Sequence, residues 1–122
     1  MHDKTVCIID DEMAVRQSLE SLVRSMGARV MLYASAEAFL AHGSGAPLHC
    51  IVCDIQMPGM SGIELLACLR ARCCDVPFIF VTAHLSARRL GDAQRLGALC
   101  VLEKPFDPGE LVQRLMWALA GC

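Results

Sequence analysis

No uncharged apolar stretch in the 122-residue chain approaches the ~20 residues that a membrane helix needs, so no span is expected. The opening MHDKTV lacks the charged-then-apolar layout of a secretory signal. Together these absences make a cytoplasmic protein the expectation. Nor is there an excess of positive charge. Eleven Lys and Arg against 13 Asp and Glu leave a formal net charge of −2, with no global pull toward nucleic acid or anionic lipid. No basic recognition helix is present, although Arg88, Arg89 and Arg95 give one helical stretch a positive side. Direct nucleic-acid binding is therefore not expected. No repeat, low-complexity tract or linker interrupts the chain, and 44–47 reads as an ordinary loop. The length suits a single domain over 1–122 with one sizeable core.

Cysteine, by contrast, is abundant, with 8 residues in a chain that is 55% hydrophobic. With no secretory signal, a disulfide framework is not expected. Cys7, Cys50, Cys53 and Cys100 lie inside apolar, strand-like runs, where a free thiol behaves as a small hydrophobe. The Cys50-x-x-Cys53 spacing raises redox or zinc chemistry. Residues three apart on a strand point to opposite faces, and no second pair at ligand spacing completes a zinc site. Core packing is the favoured reading, with Cys73, Cys74 and Cys122 expected at the surface. The histidines (His2, His42, His49 and His84) are scattered and read as surface or loop residues.

Apolar runs alternate with amphipathic ones. Strands are expected at 4–9, 29–33, 49–53, 77–81 and 98–102. Helices are expected at 12–26, 36–42, 62–73, 87–96 and 108–120. Ser35 and Ser86 precede two of them, and Ser61 with Glu64 forms a capping box for the third. Asp107, Pro108 and Glu110 supply an N-cap, a first-turn proline and an early acid for the last. Five βα units with continuous apolar strands imply a parallel sheet covered on both faces. Right-handed crossovers then make a doubly wound α/β sandwich.

Sites in open parallel sheets form outside the carboxyl ends of the strands. Along that edge the sequence places Asp10-Asp11-Glu12 after the first strand, Asp54 after the third, Thr82 after the fourth and Lys104 after the fifth. Each has an ordinary reading by itself: helix capping, a turn aspartate, a β-branched strand end, a solvated lysine. Their joint arrival at one edge does not. Two carboxylates about 5 Å apart repel by roughly 3 kcal/mol at an effective dielectric of 20. Lys104 cannot offset Asp10, Asp11 and Asp54 together. A hard divalent cation can, and all-oxygen donors favour magnesium, which suits phosphoryl chemistry.

With Asp10-Asp11, DIQMPGMSG (54–62), VTA (81–83) and EKPF (103–106) in this order and spacing, the chain resembles a response-regulator receiver domain of two-component signalling over essentially its whole length. The motifs lean toward the FixJ-type branch, whose members often regulate transcription. The resemblance implies a five-stranded (βα)5 flavodoxin-like fold with strand order 2-1-3-4-5. It implies that Asp54 is the phosphoacceptor, attacking a phosphohistidine on a sensor histidine kinase. Mg2+ (or Mn2+) is then held by Asp11, Asp54 and the Gln56 main-chain carbonyl, with Asp10 acting through water. Thr82, Ala83 and Lys104 contact the phosphoryl group, and Pro105 follows a cis peptide bond. Gln56 and His84 flank the site and tune hydrolysis, by positioning or by obstructing the attacking water. The expected output is a downstream effector or an attached DNA-binding domain. A homodimer through the face of the fourth helix, fifth strand and fifth helix is a further expectation. Such a domain promotes its own phosphotransfer and dephosphorylation but is not an enzyme with a separate substrate.

One departure stands out. Receiver domains usually carry Tyr or Phe three residues before the lysine, as a switch partner to Thr82; here the residue is Val101. Phosphorylation is expected to survive and transmission to change. Three rival readings fit the residues less well. A magnesium-dependent phosphatase wants a second Asp where Gln56 stands, and a cap domain. A pseudo-receiver that signals without phosphate fits poorly with the intact acid, hydroxyl and lysine set. A thiol redox protein fits poorly with Cys50 and Cys53 inside a strand.

Overall fold

The computed structural model describes residues 2–43, 45 and 47–120. Ser44 and Ala46, in the expected loop, and Cys122 lie outside the described residues. Five strands alternate with five helices: β1 (Thr5–Ile9), α1 (Met13–Ser25), β2 (Arg29–Tyr33), α2 (Ala36–His42), β3 (Cys50–Asp54), α3 (Gly62–Ala71), β4 (Phe78–Thr82), α4 (Ala87–Arg95), β5 (Cys100–Glu103) and α5 (Pro108–Leu119). All strand pairs are parallel, in the order β2-β1-β3-β4-β5. This is the doubly wound, flavodoxin-like α/β sandwich expected from the alternation of runs.

Period-2 alternation along buried strands builds two apolar layers. Cys7, Ile9, Ile51, Cys53, Phe78 and Phe80 face Phe39 of α2 and Leu65, Leu66 and Leu69 of α3, with Ala93 of α4. Val6, Ile8, Cys50, Val52, Ile79 and Val81 face Leu19 and Val23 of α1 and Leu111, Leu115 and Leu119 of α5. Each fully buried Leu, Ile or Phe contributes about 1.5–3 kcal/mol of transfer free energy, so both layers are needed. Cys50 and Cys53 fall in different layers, which disposes of a dithiol pair. Burial pushes the thiols of Cys7 and Cys50 up to about 12 and raises that of Cys53 well above its ordinary value, so these sulfurs stay neutral.

Four helices start on side-chain caps. Ser35 accepts from the Ala38 N–H (3.0 Å), Ser86 from Arg89 (3.2 Å) and Asp107 from Gly109 (3.0 Å). Ser61 and Glu64 close the capping box of α3 at 3.1 and 2.9 Å. Observed bounds differ from the expected ones where a local bond intervenes. Helix α3 stops at Ala71 rather than at 73, because Cys73 turns left-handed (φ 61°). The Cys73 N–H then meets the Arg70 carbonyl and the Cys74 N–H meets that of Leu69, both at 3.0 Å, a Schellman ending. Strand β5 starts at Cys100 rather than at 98, because the Ala98 N–H closes α4 on the Ala93 carbonyl. His49 is more than a loop residue: its Nδ1 accepts the Thr5 N–H at 3.0 Å, joining the start of β3 to β1. Cys74 is half-buried against the α3 layer rather than at the surface.

Candidate functional site

Register decides what meets at the sheet edge. Ile9 pairs with Cys53, Asp54 with Val81 and Thr82 with Glu103. The next residues, Asp10 and Lys104, are thus carried to the same edge as Asp54 and Thr82. Asp10 and Thr82 are fully buried and Asp54 is 4% exposed, the buried polar and charged residues among those described.

The Lys104 ammonium donates to Asp10 Oδ2 and to Asp54 Oδ2, at 3.3 Å each. The Glu12 N–H donates to Asp10 Oδ1 (2.9 Å) and the Gln56 N–H to Asp54 Oδ1 (3.1 Å). The carboxylates are therefore oriented by backbone donors on one oxygen and by the ammonium on the other. Burial raises the Asp10 carboxyl above its ordinary range, against the Glu12 amide and Lys104, while Asp54 adds to the rise. Burial works against the Lys104 charge, but Asp10 and Asp54 outweigh it and raise its pKa.

Two close approaches shape the rim. A Cβ on Gly62 would overlap the Asp54 carbonyl oxygen and lie 2.9 Å from the Phe80 ring, so only glycine lets α3 begin there. The Met60 N–H donates to Glu37 Oε2 at 2.8 Å, tying the 55–61 turn to α2. The Lys104–Pro105 peptide is cis, as expected. Gln56, Ala83 and His84 are exposed at the mouth. A groove of about 560 Å³ opens beside Gln56, between the starts of α3 and α4.

The Thr82 hydroxyl is buried with no hydrogen-bond partner. An orphaned buried hydroxyl costs about 1–3 kcal/mol, and here it sits at the edge that collects the carboxylates. Oxygens of Asp10, Glu12 and Asp54 lie within 4.8 Å of one another. Asp11 is exposed and does not join this group. Glu12 was legible only as part of an acidic run. It occupies the N-cap of α1 yet makes no side-chain cap bond, so its carboxylate is left for the cluster. Val101 pairs with Phe80 and packs on the α3 and α4 layer, away from the carboxylates.

The response regulator receiver domain family model matches residues 6–116. The chain belongs to that family. This receiver domain is 44% identical over 107 residues to the transcriptional regulatory protein FixJ of Azorhizobium caulinodans, covering 88% of the chain and 51% of that protein. It is 38% identical to FixJ of Bradyrhizobium diazoefficiens, covering 93% and 56%. Among solved structures, it superposes on FixJ-N with a TM-score of 0.89 at 36% identity, covering 100% of this chain and 98% of that one. It also superposes on full-length FixJ from B. japonicum with a TM-score of 0.88 at 36% identity, covering 97% and 58%. The receiver domain spans about half the length of the curated relatives it matches. It is a two-component receiver with FixJ-type transcription regulators as homologues.

Proposed function

We infer that this receiver domain takes a phosphoryl group on Asp54 from the phosphohistidine of a sensor histidine kinase, and that the modification switches a protein-interaction face. One observation carries the reading. A single ammonium bridges Asp10 and Asp54 beside a buried hydroxyl that has no partner of its own. The attacking Asp54 oxygen forms the new O–P bond as the N–P bond of the phosphohistidine breaks. The imidazole leaves with the bonding electrons. Lys104 pairs with the transferred group, and the Thr82 hydroxyl, with the Ala83 backbone, moves to it.

The donor set fits a hard divalent cation. It holds only oxygens, and Asp10, Glu12 and Asp54 bring three negative charges against the single positive charge of Lys104. Mg2+ or Mn2+ would be held by Asp54 and the Gln56 carbonyl, with Asp10 acting through water and Glu12 beside them; Asp11, the ligand that the motif implies, would have to turn in from solvent to join. When bound, the ion supplies neutralisation of the charge on the phosphoryl oxygens. The domain promotes its own phosphotransfer and dephosphorylation, with Gln56 and His84 at the mouth setting the lifetime.

The output is transcriptional, through an attached DNA-binding segment or a partner effector. The FixJ relatives and the half-length coverage support this. A homodimer through α4, β5 and α5 is the state that phosphorylation favours. Among the described residues, no helix is long and apolar enough to cross a membrane.

The test is intact mass after incubation with a small acyl phosphate, with and without Mg2+, for the wild type and Asp54→Asn. A magnesium-dependent gain of one phosphoryl group, absent in the variant, is expected. No gain with Mg2+ still bound favours a receiver that signals without phosphate or accepts it from its kinase alone. No gain and no Mg2+ binding overturns the reading.

A further inference from the structure

The segment between β4 and α4 joins Thr82 to the first turn of α4, and two side chains grip its backbone. The Leu85 N–H donates to Glu103 Oε2 at 3.2 Å. The His84 carbonyl accepts from Arg89 Nη1 at 2.7 Å. Both partners lie on elements that frame the segment: Glu103 ends β5, and Arg89 sits in the first turn of α4. The Thr82 hydroxyl, two residues before His84, is left without a partner.

Such an arrangement is lopsided. Backbone groups at the outer part of the segment are satisfied by charged side chains. The buried hydroxyl that the site needs is not satisfied at all. A loop free to relax would let Thr82 find an acceptor, because an unmade buried hydrogen bond is costly. Both grips are charge-assisted, the stronger kind of side-chain bond. Glu103 also neighbours Lys104 in the chain. One two-residue step therefore sends a carboxylate to the segment and an ammonium to Asp10 and Asp54.

We propose that Glu103 and Arg89 are positioning residues that hold the Thr82–Ser86 segment off the phosphoryl site, so that a group on Asp54 must break both contacts to engage Thr82. This rests on the proposed phosphoacceptor role of Asp54. Drawing Thr82 and Ala83 toward Asp54 pulls His84 and Leu85 with them and strains both outer bonds, since Glu103 is anchored in β5 and Arg89 follows only if α4 shifts with it. The grips set the balance between the resting and engaged forms, as a bias that the phosphoryl group overcomes. Neither side chain is needed for the chemistry itself.

Fluoroberyllate with Mg2+, a stable mimic of a phosphoryl group on a carboxylate, reads that balance without turnover. Its apparent affinity is to be measured by titration for the wild type, Glu103→Ala, Glu103→Gln and Arg89→Ala. Three- to tenfold tighter binding is expected for Glu103→Ala and for Arg89→Ala, with Glu103→Gln between Glu103→Ala and the wild type, because its amide oxygen still accepts the Leu85 N–H but without the charge. Hydrogen exchange in the unliganded protein checks the cause: the Leu85 amide should lose protection in Glu103→Ala alone. Unchanged or weaker fluoroberyllate binding in both alanine variants overturns the proposal. Failure of the wild type itself to bind, or to take up phosphate, overturns the phosphoacceptor reading instead, and the segment's role falls with it.

Discussion

Asp10 has no exposed surface, and burial is the largest influence on its carboxyl. The folded pKa is raised, so between the unfolded and the folded value the folded state binds more protons than the unfolded one. Stability then falls as pH rises through the window from the unfolded value of about 3.8 upward, and it is regained on acidification toward that value. Asp10→Asn keeps an oxygen for the Glu12 N–H and removes the buried charge. It should stabilise the metal-free protein by about 1 kcal/mol at neutral pH, a rise in melting temperature of about 3 °C. Added Mg2+ should narrow or reverse that difference, because a ligand of the folded state stabilises only the protein that binds it. Calorimetry of both proteins at two pH values, with and without Mg2+, checks the claim. A variant less stable than the wild type in metal-free neutral buffer would contradict it.

Thr82 makes the complementary case. Valine has nearly the same shape, and Thr82→Val removes a buried hydroxyl that has no partner. The variant should melt at the same temperature or higher, up to about 1 kcal/mol more stable, and still take phosphate on Asp54. Its response to that phosphate, read as partner affinity or dimerisation, should collapse. Greater stability alongside lost switching is the signature; a stability loss of more than about 1 kcal/mol would mean that the hydroxyl has a hidden partner. Residues of this kind were legible in the sequence because a lone polar residue at the end of an apolar run has few structural reasons to be there. Glu12 was harder to place. Only the turn after β1 reveals that its carboxylate joins Asp10 and Asp54 while Asp11 faces solvent.

At the scale of elements, three helices end on a left-handed residue. Gly27 follows α1 and Gly97 follows α4, but Cys73 follows α3, at φ 61°. A side chain there costs about 1–2 kcal/mol, part of which glycine forfeits through the greater entropy of its unfolded chain. Cys73→Gly should therefore stabilise by about 0.5–1 kcal/mol, measured by denaturant midpoint at constant m-value. It also removes an exposed thiol. Cys73→Ala should give no such gain, since alanine keeps the Cβ. The sequence pattern placed every strand and helix, because buried parallel strands and amphipathic helices leave strong periodicities. It missed the end of α3, because cysteine in place of glycine hides the stop signal that marks the other two helices. The half-buried role of His49 was equally hidden, since a histidine at a strand start looks alike whether or not it accepts a backbone N–H.

For the whole molecule, the question is how a change at the sheet edge reaches a face that another protein can feel. Strand order and the two layers were foreseen, because crossover handedness and the family resemblance leave little choice. The coupling between them was not, because it depends on how loosely α4 is packed. Only Ala93 of α4 is buried, and the layer beside it is completed by the partly buried Leu96 and Val101. A helix held by so little apolar contact is the element most easily shifted by the β4–α4 segment. Val101 is small, half-exposed and level with Phe80. Val101→Phe places a ring in that loosely filled space, with a packing cost of up to about 1–3 kcal/mol that a half-exposed site relieves in part. The ring gives α4 two discrete arrangements to choose between, inward or outward. The rate of phosphorylation by a small donor should stay within about twofold, since Val101 packs in the apolar layer beside Phe80 and offers no polar group to the site. The ratio of partner affinities between phosphorylated and unphosphorylated forms should change by about fivefold, or about 1 kcal/mol. Parallel measurement of both quantities in one preparation separates chemistry from transmission. An unchanged ratio would place the output on surfaces that Val101 and α4 do not govern.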